Sequence, residues 1–293
     1  MKLAWKEIIA AVDAALDQYL PPETAYPEEI HRAVRYSVFA GGKRLRPLLT
    51  ITAANVFNVP LEHALPAACA IEMIHTYSLI HDDLPALDND DYRRGRLANH
   101  KVFGEAMAIL AGDALLTCAF ETLAREAPKY LPLETVVALQ QEISRAAGTA
   151  GMIGGQVVDI ISEGKPVDAE TLEYIHRHKT GALITCCIRC GAKMGQASAQ
   201  QLALLSTYGE KIGFAFQIVD DILDITGEEE VLGKKTGSDA AKQKATYPAL
   251  YGLEAAHKEA EKLLAEADAC LEPFGEAAES LKSLAQMLVN RTH

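Results

Sequence analysis

Residues 71–91 read Ile71-Glu72-Met73-Ile74-His75-Thr76-Tyr77-Ser78-Leu79-Ile80-His81-Asp82-Asp83-Leu84-Pro85-Ala86-Leu87-Asp88-Asn89-Asp90-Asp91. An apolar helical stretch, Ile71 to Ile80, runs directly into a cluster of aspartates. Asp82 and Asp88 are six positions apart, which is ~240° around an ideal helix. They can share a face only if the helix unwinds between them. Leu84-Pro85 offers that break, because a proline disfavours the helical conformation in the residue before it. The alternative for this cluster alone is a solvated acidic turn.

A second acidic cluster makes that alternative harder to hold. Ile212 to Val219 is again apolar, and Asp220-Asp221-Ile222-Leu223-Asp224 follows it. Asp220 and Asp224 stack on one helical face, where like charges destabilise by ~0.2–0.5 kcal/mol. Each cluster also sets negative charge at the negative end of a helix dipole. Two such arrangements call for a counter-charge, and Mg²⁺ suits carboxylate oxygens and substrate phosphates.

Away from the clusters most of the chain has a period near 3.6. Helices are expected at about 2–20, 27–41, 43–57, 61–83, 104–126, 132–149, 168–195, 199–224, 242–270 and 276–290. Pro21-Pro22 closes the first of these and Pro27 suits the opening turn of the second. Ala and Leu are abundant and aromatics are only 6% of the 293 residues, a composition that favours helices. The loops are short and none resembles a linker. The expectation is an all-α fold, a single helical bundle domain over residues 1–293 around a central cavity.

Composition excludes several classes. A net charge of −12, from 40 acidic and 28 basic residues, would be repelled by nucleic acid. No uninterrupted apolar run approaches a membrane span of ~20 residues. The start Met-Lys-Leu-Ala-Trp-Lys-Glu lacks a signal-peptide core, and the six cysteines do not make a secreted disulfide framework. A cytoplasmic protein is expected.

Two basic groups answer the aspartates. Gly41-Gly42-Lys43-Arg44-Leu45-Arg46-Pro47 opens a helix with three cations in four residues, where free N–H groups and the dipole favour phosphate. A solvated basic turn is the alternative reading. Arg93-Arg94-Gly95-Arg96 follows the first acidic cluster and allows fork-shaped phosphate recognition beside a metal. Lys179-Thr180-Gly181, Lys234-Lys235 and Lys244 add further cations.

Together these segments resemble the trans (head-to-tail) polyprenyl diphosphate synthases, most closely the bacterial farnesyl diphosphate synthase type. The resemblance spans nearly the whole chain through Gly41–Pro47, Asp82–Arg96, Gly155-Gln156-Val157-Val158-Asp159, Lys179-Thr180, Phe216-Gln217 with Asp220–Asp224, and Gly233-Lys234 through Lys244. It implies three Mg²⁺ ions per active site, two held by Asp82 and Asp88 and a third by Asp220, with Asp83, Asp221 and Asp224 assisting. It implies isopentenyl diphosphate on Lys43, Arg46, His75 and Arg94, and the allylic diphosphate on Arg93, Lys179, Lys234 and Lys244. Lys179, Thr180 and Gln217 would face the allylic cation as the catalytic residues. The resemblance also implies a homodimer, and a chain-length stop at Tyr77 and Ser78 with a C15 product. The alternatives are a geranylgeranyl diphosphate synthase, a terpene cyclase, which would not need the isopentenyl site, and a non-catalytic subunit, which would lose an aspartate motif.

Three motifs invite other readings. Cys186-Cys187-Ile188-Arg189-Cys190 after His176 and His178 could suggest zinc, but its apolar helical period reads as core. His81 is left undecided between a ligand and a core residue. Gly112 and Gly154-Gly155 read as close helix packing, since no strand precedes them.

Overall fold

The computed structural model describes residues 4–226 and 244–290, and they form an all-α structure. The contacts divide it into two compact units, one of Met1–Ile51 with Pro60–Gln140, the other of Thr52–Val59 with Gln141–His293.

The first unit holds α1 (Trp5–Tyr19), α2 (Glu28–Val38), the start of α3 (Leu45–Asn55), α4 (Leu61–Asp82), the short α5 (Asn99–Phe103), α6 (Glu105–Glu126) and the first residues of α7 (Leu133–Ala147). In α1 the buried residues Ile8, Val12, Ala15 and Leu16 recur at helical spacing, so one stripe faces the core. Its start is fixed by the Glu7 carboxylate, which accepts the Ala4 N–H at 2.9 Å, and Pro21 follows its end. α4 has no such stripe. It is apolar nearly all round and packs against α1 and α6, which makes it the central helix of this unit. Glu105–Lys129, which contains α6, is long and apolar enough to cross a membrane by length and composition alone. Here its buried side packs on α4 and α2.

The second unit is built around α11 (Ala199–Thr226), which packs against α10 (Ala182–Met194) and α13 (Leu253–Leu271). Ile218, Ile222, Ala256, Ala260 and Leu263 form one apolar cluster between α11 and α13. The Tyr208 hydroxyl ties α11 to α14 (Glu279–Val289) by donating to the Leu281 carbonyl at 2.9 Å.

Four features differ from the sequence expectation. Residues 152–162 form a helix, α8 (Met152–Ser162), although Gly154-Gly155 weakens the local propensity. Tyr92–Arg93 and Arg96–Leu97 pair as a two-stranded antiparallel ribbon, β1 and β2. The helix expected at 168–195 is interrupted: α9 (Ala169–Ile175) widens into a π turn, His176–Gly181, before α10. The helix expected at 242–270 is broken by Gly252, whose φ of 84° no other residue adopts easily, into α12 (Tyr247–Tyr251) and α13.

Candidate active site

In the first unit the acidic cluster sits where α4 ends. After Asp82 the chain leaves the helix and turns back on itself: Asn89 donates to the Leu84 carbonyl at 3.1 Å, and Asp88 donates to that of Asp82 at 2.8 Å. The break at Leu84-Pro85 therefore brings Asp88 back beside Asp82, as the spacing requires. Asp83 is different. It is only 2% exposed, and both its oxygens accept from Arg93, Oδ1 at 3.0 Å and Oδ2 at 3.3 Å from Nε. Burial pushes the Asp83 carboxyl above its usual range, with Arg93 pulling the other way. Its role in this geometry is to anchor an arginine.

The ribbon carries that arginine and the next. Arg94 adopts a left-handed φ of 54° and donates to the Gly41 carbonyl. A Cβ on Gly42 would lie 2.6 Å from the Arg94 guanidinium carbon, and the φ of 120° there is one that other residues rarely adopt. Lys43 is exposed, and Arg46 lies half-buried in the first turn of α3. Between them Arg44 is 4% exposed and points inward to Asp13 and Glu72. The three neighbouring cations thus divide into two that suit a ligand and one internal strut. His75 lies among these groups; burial, then the charges of Arg46, Arg94, Arg93 and Arg44, hold its pKa well below the usual imidazole range. The imidazole is neutral at pH 7 while the field around it is strongly positive. Clustered guanidinium groups of this kind fit a diphosphate.

Tyr77 and Ser78 lie one turn before Asp82 on α4. Tyr77 is 6% exposed, and its ring meets His81 edge-on at 5.8 Å. Burial pushes its phenol up to about 12, with the Asp82 charge adding to the shift. Ser78 donates to the His75 carbonyl at 2.9 Å. His81 pairs with the Ile109 carbonyl at 3.0 Å, against the open side of Gly112, so it is a packed residue of the α4–α6 contact.

In the second unit the π turn does the positioning. α8 approaches it so closely that a Cβ on Gly155 would lie 2.1 Å from the Lys179 nitrogen, which accounts for the glycine there. Asp159, one turn further along α8, accepts from Lys179 at 2.6 Å and lies 3.8 Å from Lys244. Thr180 donates to Gln217 Oε1 at 2.8 Å, and Gln217 Nε2 donates to Asp221 Oδ1 at 3.1 Å. The second Asp221 oxygen takes the Tyr247 N–H at 2.8 Å and lies 3.3 Å from His176 Nε2. The Gln217 amide is thereby fixed, its oxygen toward Thr180. π turns recur at functional sites because they place side chains out of the α-helical register.

Asp220 is half-buried and Asp224 buried, both on the last turns of α11. Among the described residues no three His, Cys, Asp or Glu side chains form a closed metal cage. Carboxylates suit Mg²⁺, which commonly takes one or two of them and completes its shell with waters and substrate phosphates. Lys234 and Lys235 lie outside the described residues. The cysteine segment is core: Cys186, Cys187 and Cys190 are buried and in no disulfide, and the Cys187 thiol donates to the Leu183 carbonyl at 3.1 Å. Its flanking histidines are engaged elsewhere, His176 with Asp221 and His178 with the Tyr174 carbonyl.

Sequence reasoning left three functional residues without a role. Asp159 closes the segment Gly155–Asp159, and only the fold shows that Lys179 and Lys244 converge on it. His176 and Arg44 were noticed, but their partners lie 45 and 28 positions away. No local pattern reports such distances.

The polyprenyl synthetase family model matches residues 27–286. A farnesyl diphosphate synthase of Geobacillus stearothermophilus is 50% identical over 243 residues, 83% of this chain and 82% of the relative. A geranylgeranyl diphosphate synthase of Cyanophora paradoxa is 45% identical over 96% of this chain and 93% of its own length. The apo crystal structure of a synthase from Zymomonas mobilis, named for FPP and GFPP, superposes with a TM-score of 0.87 at 39% identity, covering 97% of both chains. With these matches over almost its entire length, the chain belongs to the polyprenyl synthetase family and is a prenyltransferase.

Proposed function

We propose that this prenyltransferase is a farnesyl diphosphate synthase, condensing isopentenyl diphosphate with dimethylallyl and then geranyl diphosphate. The observation that carries the reading is the gathering of His75, Arg46 and Arg94 on and beside α4. A terpene cyclase has one diphosphate to hold and would not need this second cationic group. A non-catalytic subunit would not need both aspartate segments.

Mg²⁺ would be held by Asp82 and Asp88 in the first unit and by Asp220 with Asp224 in the second. When bound it supplies positive charge to the departing diphosphate. Asp83 and Asp221 hold Arg93 and Gln217 in place. Lys43, Arg46, His75 and Arg94 bind isopentenyl diphosphate; neutral His75 offers a hydrogen bond without competing for a proton. Lys179 and Lys244, oriented by Asp159, bind the allylic diphosphate together with Arg93 and Lys234. Thr180, Gln217 and the Lys179 carbonyl present partial negative charge to the allylic carbons as their bond to oxygen breaks. The isopentenyl double bond attacks the allylic carbon whose bond to the diphosphate oxygen breaks, and the departing diphosphate takes the proton lost from the adjacent carbon.

Tyr77 supports the farnesyl product. A bulky, buried ring stands one turn before Asp82, where a growing chain directed away from the diphosphate would meet it. Geranylgeranyl diphosphate is the competing product, and it is what the Cyanophora relative is named for. Mass spectrometry of products from geranyl and isopentenyl diphosphates with Mg²⁺ decides between them: mainly C15 supports this reading, and mainly C20 or longer overturns it.

A homodimer fits the exposed apolar residues on α6 and α7, where Ile109, Leu110, Leu133 and Val137 are 46–69% exposed. Sedimentation would show it. A cytoplasmic setting fits the free cysteines.

A further inference from the structure

We infer that Arg44 and Glu72 are positioning residues for isopentenyl diphosphate. They form a buried strut that sets the shape of the phosphate-binding loop without touching the substrate. The inference rests on the reading that Lys43 and Arg46 bind that diphosphate.

Arg44 is held from three sides. Its Nε donates to Asp13 at 2.8 Å, one Nη to Glu72 at 3.0 Å and the other to the Val38 carbonyl at 2.7 Å. These partners belong to α1, α4 and the end of α2. The side chains of Arg44 and Glu72 are 3% and 2% exposed, so neither reaches a ligand in solvent. Arg44 nevertheless has the left-handed φ of 48°, a strained conformation for a long side chain. It follows Gly41 and Gly42, at 89° and 120°, and its carbonyl accepts the Leu48 N–H at 3.0 Å, the first hydrogen bond of α3. Lys43 precedes this strained residue and Arg46 follows it by two.

Stability alone does not explain the pair. Glu72 Oε2 is buried with no hydrogen-bond partner, which an apolar pair of similar volume would avoid. What the pair adds is direction. The planar guanidinium fork fixes the backbone at residue 44 in all three dimensions, and thereby where Lys43 and Arg46 project. Glu72 stands one turn before His75 on the same face of α4, so the strut also registers the loop against the imidazole.

The test uses the full-length enzyme with Mg²⁺, steady-state kinetics in each substrate and thermal unfolding. Arg44→Lys keeps a charge for Glu72 but cannot make three directed bonds. It should raise KM for isopentenyl diphosphate about tenfold, with KM for geranyl diphosphate and kcat within about twofold of wild type. The double variant Arg44→Met/Glu72→Leu removes both buried charges. It should stay folded, with a cooperative melt, and still show the raised isopentenyl KM. An unchanged isopentenyl KM in the folded double variant, or equal losses for both substrates, overturns the inference. Arg46→Ala is the control: if it leaves isopentenyl KM unaltered, the reading of the loop itself fails, whatever the strut variants do.

Discussion

The two aspartate segments carry similar charges on different backbones. In the first unit α4 stops at Asp82, and a tight turn returns Asp88 to it. In the second unit α11 continues unbroken through Asp220 and Asp224 to Thr226. A spacing of six needs a proline-induced break, while a spacing of four is already one face of a helix. The segments agree, however, in how they use their paired aspartates. The leading residue, Asp82 or Asp220, is half-buried. The next, Asp83 or Asp221, is 2–3% exposed and engaged by the protein, Asp83 by Arg93 and Asp221 by Gln217, His176 and the Tyr247 N–H. An Asp-Asp pair thus divides into one half-buried carboxylate suited to metal and one buried carboxylate that holds a neighbouring side chain.

Removing the metal should have the largest effect and should strike both segments alike. Chelation with EDTA is expected to abolish turnover while the far-UV circular dichroism stays helical, because the cores of both units are apolar and owe nothing to a cation. Loss of helix on chelation would mean that the carboxylates serve folding. Next come the second aspartates. Asp83→Asn and Asp221→Asn should each lower kcat/KM about ten- to a hundredfold, the range expected when a supporting hydrogen-bond partner is altered. The Mg²⁺ concentration for half-maximal rate should stay near that of wild type. A large shift in that concentration would make these residues metal ligands and erase the division between the paired aspartates.

Two smaller effects separate the units by substrate and by product. Asp159→Ala frees Lys179 and Lys244 from their common anchor, and should raise KM for geranyl diphosphate about tenfold with little change for isopentenyl diphosphate. The opposite pattern would remove Lys179 and Lys244 from the allylic site. Tyr77→Ala should leave the first condensation largely intact and shift products to C20 or longer by mass spectrometry. Unchanged C15 would leave Tyr77 as a core residue only.

The smallest expected effect is on stability against pH. The unfolded chain protonates His75 near its ordinary value, ~6.5, whereas the folded chain holds it neutral to lower pH. The unfolded state therefore binds the extra proton, and stability falls as pH drops below ~6.5. Melting curves should show a shallower acid loss in His75→Gln than in wild type; parallel curves would remove His75 from the buried basic cluster.

The sequence carried the helical class and both aspartate segments because each is written in local spacing: a 3.6 period, a proline break, an i,i+4 pair. The basic cluster was visible as composition, but the different fates of Arg44 and Arg46 were not. That difference depends on Glu72 and Asp13, 28 and 31 positions from Arg44. α8 was hidden by Gly154-Gly155, which lower helix propensity locally; Gly155 is where the backbone of Lys179 comes close. The π turn left no pattern at all, since one shifted hydrogen bond alters the register without altering the residue types.

The central claim is that both aspartate segments serve one Mg²⁺-dependent transfer, and single-turnover condensation of geranyl with isopentenyl diphosphate tests it most directly. The assay compares wild type with Asp82→Ala and Asp220→Ala across a Mg²⁺ titration, with helix content checked alongside. The expected result is loss of most turnover in each variant at every Mg²⁺ concentration, with the helical spectrum unchanged. Near-wild-type turnover at saturating Mg²⁺ in either variant would contradict it.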